Sequence, residues 1–303
     1  MMLVRLGQWC FCVILVLCGV LHAAEVDSDL AVDPSGFSPP QSTEANWVFS
    51  GMAANENGER YAYFFQMQRH ENAFHAVSAL FDAESKVLLA VDDGEALIPD
   101  PERYNWHVGR SFLRFNAINN SWVFGMKTPD KRGFNFKVDM LNQPKNGPVA
   151  QNLRDGVAFI TSQTGQLNGH IQVGAVSDEQ FVTSKHAWFR QIWLTDHQDK
   201  PHQLSSVLCR FEDGSGFYSM KMPEPDATRG ASAGWFDAEG ASVAMSQFIR
   251  VNEAEDGAWH IRIASPAMHL VLSDSVKQRA VVAGFVSEKD KQGFCMLSED
   301  AVG

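Results

Sequence analysis

A nine-residue stretch of the chain, KHAWFRQIW at 185–193, combines residue types that could bind a ligand or support acid–base chemistry. The guanidinium of Arg190 stands between the indoles of Trp188 and Trp193. Aromatic faces attract a cation within about 6 Å, and guanidinium donors bind carboxylates in pairs. Arginine cannot act as a general acid at working pH, because its pKa stays above about 12. The stretch therefore favours holding an anionic or carbonyl head group over delivering a proton.

Two other interpretations of Arg190 stay open at the level of sequence. Its side chain could face solvent, or it could pair with an acidic neighbour. Successive side chains of a strand point to opposite faces. Trp188 and Trp193 are five residues apart, so both indoles cannot face one cavity without a bulge.

Two further candidates lie closer to the N-terminus. Tyr63 belongs to an aromatic stripe of period two, and such stripes fill a barrel more often than they bind a ligand. His75 lies among small and apolar residues in AFHAVSALFD at 73–82, where a hydrogen bond to a backbone carbonyl in the core is the alternative to a ligand contact. The predicted ligand-binding residues are Tyr63, His75, Trp188, Arg190 and Trp193.

Motifs for cofactors and metals are missing from the sequence. It contains no P-loop and no Gly-x-Gly-x-x-Gly fingerprint, so we expect no nucleotide cofactor. The histidines are scattered, and only His197 and His202 come near a ligand-like spacing. They lack a Cys or carboxylate partner at a fixed offset. We therefore predict no metal site and no cofactor.

The first 24 residues are predicted to be a secretory signal peptide. Arg5 precedes an apolar run from Trp9 to Leu21, and the small residues Ala23 and Ala24 follow. The run is too short for a spanning helix, and no later segment approaches about 18 consecutive apolar residues. We expect cleavage near Ala23/Ala24, no transmembrane segment, and a secreted or periplasmic protein.

The charge balance restricts the partners. The formal net charge is −11, and loss of Arg5 with the signal peptide would make it −12, because residues 1–24 contain no Asp or Glu. Such a surface repels phosphate backbones, so we expect no nucleic-acid partner. A small hydrophobic ligand is the predicted partner, and the sequence leaves protein partners open.

Only two cysteines, Cys209 and Cys295, remain once the signal peptide is removed. In an oxidising compartment these two residues can form a disulfide. Two separate cysteines in the core are the alternative, because free Cys packs as a small apolar residue.

The pattern of the mature chain predicts an all-β fold. Residues 25–43 are acidic and rich in proline, which is typical of a flexible arm. From Trp47 onward, short runs of period two alternate with turn residues, and helical periodicity is scarce. This arrangement favours antiparallel barrels or sandwiches. The predicted turn pairs are Asn57-Gly58, Asp93-Gly94, Asp213-Gly214, Glu239-Gly240 and Asp256-Gly257.

Several blocks, in order, resemble one known family. In NWVFSGMAANENGERYAYFFQMQR at 46–69, an aromatic pair leads to a glycine, an Asn-Gly turn, and an aromatic strand that ends in arginine. AFHAVSALFD, LNGHIQV, KHAWFRQIW, LSSVLCRFEDGSGFYSMKM, SAGWFDAEGASVAM and QGFCMLSE follow. Together they are similar to the lipocalin-like family that includes carotenoid 1,2-hydratases (hydroxyneurosporene synthases) and AttH-like secreted proteins.

The resemblance implies two tandem lipocalin-like antiparallel β-barrel or sandwich units. We place the N-terminal unit at 44–160 and the C-terminal unit at 161–303. In the hydratases, a carboxylate in the strand that matches KHAWFRQIW is thought to protonate a double bond before water adds. The Trp spacing puts Arg190 at that position, so the hydratase route is not available here. A slipped alignment would make Asp196 the acid instead.

The sequence therefore predicts a secreted lipocalin-like protein that binds a small hydrophobic, lipid- or isoprenoid-like molecule without converting it. The alternative is a hydratase, or a related enzyme, that acts on an unsaturated lipophilic substrate by acid-catalysed addition of water. A third possibility is a partner-binding β protein with a filled core.

Overall fold

The computed structural model describes residues 42–140, 150–174, 177–195, 202–222, 230–289 and 291–302. The predicted signal peptide, nearly all of the predicted arm, and Asp196 lie outside these described residues. Within them, the strands pair in antiparallel orientation, and the helical structure is one 3-10 turn at Pro101–Arg103. No helix in this part of the chain is long and apolar enough to cross a membrane.

Eleven strands form the first sheet. The order across it is β4-β3-β2-β1-β11-β10-β8-β7-β6-β5, and β9 pairs with β10 at the side. The strands are β1 (Glu44–Asn55), β2 (Arg60–His70), β3 (Ala73–Asp82), β4 (Leu88–Leu97), β5 (Asn105–Val108), β6 (Ser111–Asn116), β7 (Ser121–Lys127), β8 (Gly133–Asp139), β9 (Gln151–Arg154), β10 (Val157–Gln172) and β11 (Gln180–Leu194).

Nine strands form the second sheet, in the order β15-β14-β13-β12-β20-β19-β18-β17-β16. The strands are β12 (His202–Phe211), β13 (Gly216–Lys221), β14 (Ala231–Phe236), β15 (Ser242–Val243), β16 (Ile249–Glu253), β17 (Trp259–Ile263), β18 (Met268–Gln278), β19 (Val281–Glu288) and β20 (Lys291–Val302).

The first sheet curls into a nearly closed barrel, and hydrogen bonds join its two end regions. The carboxylate of Asp92 on β4 accepts hydrogen bonds from the Arg110 amide and the Ser111 hydroxyl, both at 2.9 Å. Gly94 and Gly109 make the close approach possible, because a Cβ on Gly94 would lie 2.7 Å from the Gly109 Cα. The second sheet is a half-barrel. The predicted all-β fold with two lipocalin-like units is confirmed.

The predicted turns are confirmed with one exception. Asp93-Gly94 was predicted as a turn, and this is wrong because both residues lie inside β4, where the glycine serves the barrel closure. The other four pairs connect consecutive strands, and their glycines have positive φ: Gly58 at 85°, Gly214 at 91°, Gly240 at 84° and Gly257 at 81°.

Buried side chains form three apolar clusters. One fills the interior of the barrel, one lies between the two sheets, and one lines the concave face of the half-barrel. Strand β11 contributes to the first two, because it is covered on both faces from Ala187 onward. Phe189 and Trp193 point into the barrel, whereas Trp188 and Ile192 point between the sheets.

The chain passes from one sheet to the other between Leu194 and His202. The predicted division between residues 160 and 161 falls inside β10, a strand of the first sheet. The predicted division of the chain into domains stays a prediction. In the second sheet, Cys209 on β12 and Cys295 on β20 lie directly opposite each other and form a disulfide.

Candidate functional site

The barrel interior is filled by aromatic rings, and it contains two of the predicted ligand-binding residues. Tyr63 is fully buried, with its ring centroid 4.9 Å from that of Phe136. Phe49 stacks on Phe124 at 4.1 Å, and Trp193 is 6% exposed in the same cluster. Burial raises the pKa of the Tyr63 phenol, and the charge of nearby Arg210 opposes this shift. Tyr63 and Trp193 therefore lie in a packed aromatic core.

Trp188 lies on the opposite face of β11, between the two sheets. Its Nε1 donates a hydrogen bond to the Cys209 carbonyl oxygen at 2.9 Å, which connects the first sheet to the second. Its ring packs edge-on against Tyr218 and Phe236. Trp188 and Trp193 therefore face different clusters, which confirms the expectation from their spacing.

Arg190 is the central charge between the sheets, with 0% exposure. Its Nη2 donates to Asn46 Oδ1 at 3.1 Å and to Asp300 Oδ2 at 3.3 Å, and its Nη1 donates to the Ser206 hydroxyl. Burial lowers the pKa of the guanidinium, and the Asp300 carboxylate opposes that effect. Of the interpretations that the sequence left open, pairing with an acidic residue is the one the structure shows.

Asp300, on the last strand, is the acceptor that organises this polar cluster. Its Oδ1 accepts from Gln66 Nε2 at 2.6 Å and from Gln68 Nε2 at 2.7 Å. Its Oδ2 accepts from Ser298 at 2.9 Å as well as from Arg190. We call this cluster the polar junction, and its members are Asn46, Gln66, Gln68, Arg190, Ser206, Ser298 and Asp300.

A cleft adjoins the polar junction at the ends of strands β1 to β4. Its volume is about 640 Å³, and Asn46, Gln68 and His75 contribute to its lining. Apolar side chains make up part of the wall, and these are Ala45, Ala73, Phe74, Ala96 and Leu97. The size is that of an ordinary small-molecule site.

His75 is held at the wall of this cleft by an acidic neighbour. Its Nε2 lies 2.9 Å from Asp93 Oδ1, and both side chains are 22% exposed. Arg279, from the turn between β18 and β19, pairs with the other oxygen of Asp93 at 3.1 Å and also contacts Glu95. The second sheet thus helps to fix the imidazole.

Three polar atoms at the junction have no hydrogen-bond partner within the described residues. They are Asn46 Nδ2, Gln66 Oε1 and Arg190 Nε, and each of these residues is at most 2% exposed. A guanidinium has only donors, so the amide oxygen of Asn46 must face Arg190, and the amide NH2 points elsewhere. Asn46 is also one of the residues that line the cleft.

The structure brings only part of the predicted site together. His75 lines the cleft. Arg190 is connected to the cleft indirectly, through its hydrogen bond to Asn46, which also lines the cleft. Tyr63, Trp188 and Trp193 lie elsewhere, and the predicted role of these residues in ligand binding stays a prediction. No pattern in the sequence singled out Asn46, Gln68 or Asp300 as site residues. In FFQMQR, Gln66 and Gln68 alternate with apolar residues, which is also the pattern of a solvent-facing side.

Comparison with known proteins identifies the fold. The sequence matches no protein-family model and no curated protein. The structure is similar to that of a protein assigned as AttH from Nitrosomonas europaea, with a TM-score of 0.60, 15% identity, and coverage of 88% of this chain and 96% of that chain. It is also similar to kievitone hydratase from Nectria haematococca, with a TM-score of 0.59, 12% identity, and coverage of 87% and 91%.

These likenesses show that the chain has the lipocalin-like, AttH-type fold that the sequence resemblance predicted. At this level of identity the comparison extends to the fold, and the activity has to be argued from the site.

Proposed function

We propose that the protein binds a small lipophilic molecule in the cleft, by a carbonyl or carboxylate head group, and does not convert it. The observation that carries this proposal is the buried, unpartnered amide NH2 of Asn46, a residue that lines the cleft. A buried donor without a partner costs about 1–3 kcal/mol, and an acceptor on a ligand would recover that cost.

The polar junction makes Asn46 a rigid donor. Arg190 fixes the amide oxygen, and Asp300 fixes Arg190 from the other sheet. A donor that is already oriented loses little conformational entropy when a ligand binds. The apolar side chains of the cleft, Phe74 and Leu97 among them, would cover the body of the ligand.

Non-catalytic binding fits the chemistry of the buried charges. Arg190 releases no proton at working pH. Asp300 accepts hydrogen bonds from all four of its neighbours in the junction. Its carboxylate therefore orients these donors, and it faces no acceptor in the junction to which it could give a proton. Neither residue is suited to start an addition of water to a double bond.

A hydratase is the second candidate, and one observation favours it. The imidazole of His75 lies in the cleft and is oriented by Asp93, which is how a carboxylate positions a histidine for proton transfer. Kievitone hydratase, a hydratase by name, has the same fold. Loss of a measured hydration activity in His75→Gln, with the fold intact, would establish this candidate over simple binding.

We further propose that the protein is exported, as the predicted signal peptide suggests. A disulfide between Cys209 and Cys295 supports this, because disulfides persist in oxidising compartments. The intact mass of the protein recovered outside the cytosol tests it. The expected mass is that of a chain cut near Ala23/Ala24 with two hydrogens fewer than the reduced form.

Native mass spectrometry of protein purified from its source tests the binding function. We expect one lipophile per chain, with a carbonyl or carboxylate identified after solvent extraction. If nothing co-purifies and neutral ketones such as 2-dodecanone do not bind the purified protein, the proposal is wrong.

A further inference from the structure

A second cavity, of about 500 Å³, lies in the half-barrel. We call it the groove. Its lining comes from β12, β13, β20 and the strands β16 to β19, so it is a feature of the second sheet. Its apolar lining includes Val207, Val282 and Leu297, which are neighbours on adjacent strands and are at most 5% exposed.

The groove is cationic in a protein that is strongly acidic overall. Four cations line it, against the single carboxylate of Glu299, whereas the whole chain carries a formal net charge of −11. These cations are Lys221, Arg250, Lys277 and Arg279. A local excess of one charge sign in a concave site focuses the field and attracts ligands of the opposite sign.

Two of these cations have acidic partners, and two do not. Arg279 is paired with Asp93, and Lys277 lies 3.5 Å from Glu253. Within the described parts of the chain, Lys221 and Arg250 form no ion pair, and both are exposed. They are therefore the charges that a ligand could neutralise.

The remaining lining adds hydrogen-bond donors and an aromatic face. Ser205 and Ser219 contribute hydroxyls, and Trp259 contributes an indole that has Lys277 Nζ 5.5 Å from its ring centroid. Phe248, between the lining residues Gln247 and Ile249, is 78% exposed. An apolar surface with polar groups at a few positions is the usual composition of a small-molecule site.

We propose that the groove is a second ligand site, which takes a small amphipathic anion. Lys221 and Arg250 would bind the anionic head group, and the apolar body would lie along Val207, Val282 and Leu297. Charge-assisted hydrogen bonds from two cations favour the anion over an uncharged molecule with the same chain. The groove and the cleft are lined by different strands and differ in charge. The proposal for the groove therefore does not depend on the proposed function of the cleft.

Calorimetric titration with dodecanoate and with dodecanol tests the preference for an anion. We expect dodecanoate to bind more tightly than dodecanol by about tenfold or more. The Lys221→Gln/Arg250→Gln double variant should remove this difference and leave the affinity for dodecanol unchanged. Arg114→Gln, an exposed change on β6 of the barrel, is the matched control and should keep it.

A photoreactive diazirine analogue of dodecanoate locates the site, which separates the groove from the cleft. Saturable labelling of peptides from β12, β16 or β20 supports the proposal. Labelling confined to peptides from β1 to β4 would assign dodecanoate to the cleft and overturn the groove site. The proposal is equally lost if labelling is absent, or if the double variant binds dodecanoate as the wild type does.

Discussion

Arg190 and Asp300 form an ion pair between the two sheets, with 3.3 Å from Nη2 to Oδ2 and side-chain exposures of 1% and 0%. A charge in this position is costly unless its partner is present. Asp300 also holds Gln66 and Gln68, so one carboxylate connects three side chains of the barrel to the last strand of the half-barrel.

We therefore predict that Asp300→Ala lowers the free energy of unfolding by about 3–5 kcal/mol, because it leaves the guanidinium buried and unpaired. Urea denaturation measures the change. Glu212→Ala is the control, since it breaks an exposed ion pair with Arg60 and should cost at most about 1 kcal/mol. The double variant Arg190→Met/Asp300→Leu should recover most of the loss. Equal losses of stability in Asp300→Ala and Glu212→Ala would contradict a structural role for the Arg190–Asp300 pair.

Tyr63 and Tyr61 provide a pair of predictions with opposite signs. The Tyr63 hydroxyl has no partner within the described residues, so Tyr63→Phe should stabilise the protein by about 1–3 kcal/mol at neutral pH. Tyr61 donates to Gln180 at 2.9 Å, so Tyr61→Phe should destabilise it by about 0.5–1.5 kcal/mol. Thermal or urea unfolding measures both, and a destabilised Tyr63→Phe protein would mean that the hydroxyl has a partner.

The same phenol predicts a dependence of stability on pH. Burial raises the pKa of Tyr63 in the folded protein above its ordinary value of 10.0. The unfolded chain therefore loses this proton first as the pH rises, and the stabilisation present below pH 10.0 declines above it. The wild type should lose about 1.4 kcal/mol per pH unit more than Tyr63→Phe in that range. Parallel pH profiles of the two proteins would rule this out.

Local patterns in the sequence were sufficient to predict an all-β fold, and the family resemblance added the two lipocalin-like units. Period-two runs such as FNFKV became strands, and the glycines after Asn57 and Asp213 adopted the positive φ that tight turns need. The spacing of Trp188 and Trp193 was enough to place them on opposite faces of β11. These features depend on neighbouring residues only, so a single sequence contains them.

The polar junction could not be predicted, because its partners are distant in sequence. Asp300 lies 110 residues after Arg190, and Asn46 lies 144 residues before it. Gln66 and Gln68 look like a solvent-facing side of β2, yet a second sheet covers that side. A surface that becomes buried only when two sheets pack together has no local signal. The Asp93-Gly94 turn was wrong for a related reason, since the barrel closure is also a non-local contact.

The disulfide should contribute a large part of the stability. Cys209 and Cys295 enclose a loop with a sequence separation of 86, for which the chain-entropy model gives about 4–5 kcal/mol. We predict that Cys209→Ala/Cys295→Ala is destabilised by up to that amount. A reductant should destabilise the wild type and have no effect on the double variant. Insensitivity of the wild type to strong reductant under unfolding conditions would show that the bond does not form.

The last prediction concerns the donor in the cleft. Asn46→Asp keeps an oxygen for Arg190 but replaces the amide NH2 by a second acceptor, so the junction can persist while the donor to a ligand is lost. We expect the affinity for 2-dodecanone, a neutral ketone, to fall by about tenfold to a hundredfold, and the affinity for dodecane to stay unchanged. Fluorescence or calorimetric titration measures both.

Asn116→Asp is the matched control for that variant. Asn116 Oδ1 accepts from the Ile118 amide in the turn between β6 and β7, and aspartate preserves this bond. The control should therefore bind 2-dodecanone as the wild type does. If Asn46→Asp also binds the ketone normally and unfolds at the wild-type urea concentration, Asn46 donates no hydrogen bond to a ligand, and the proposed binding of the head group by Asn46 is wrong.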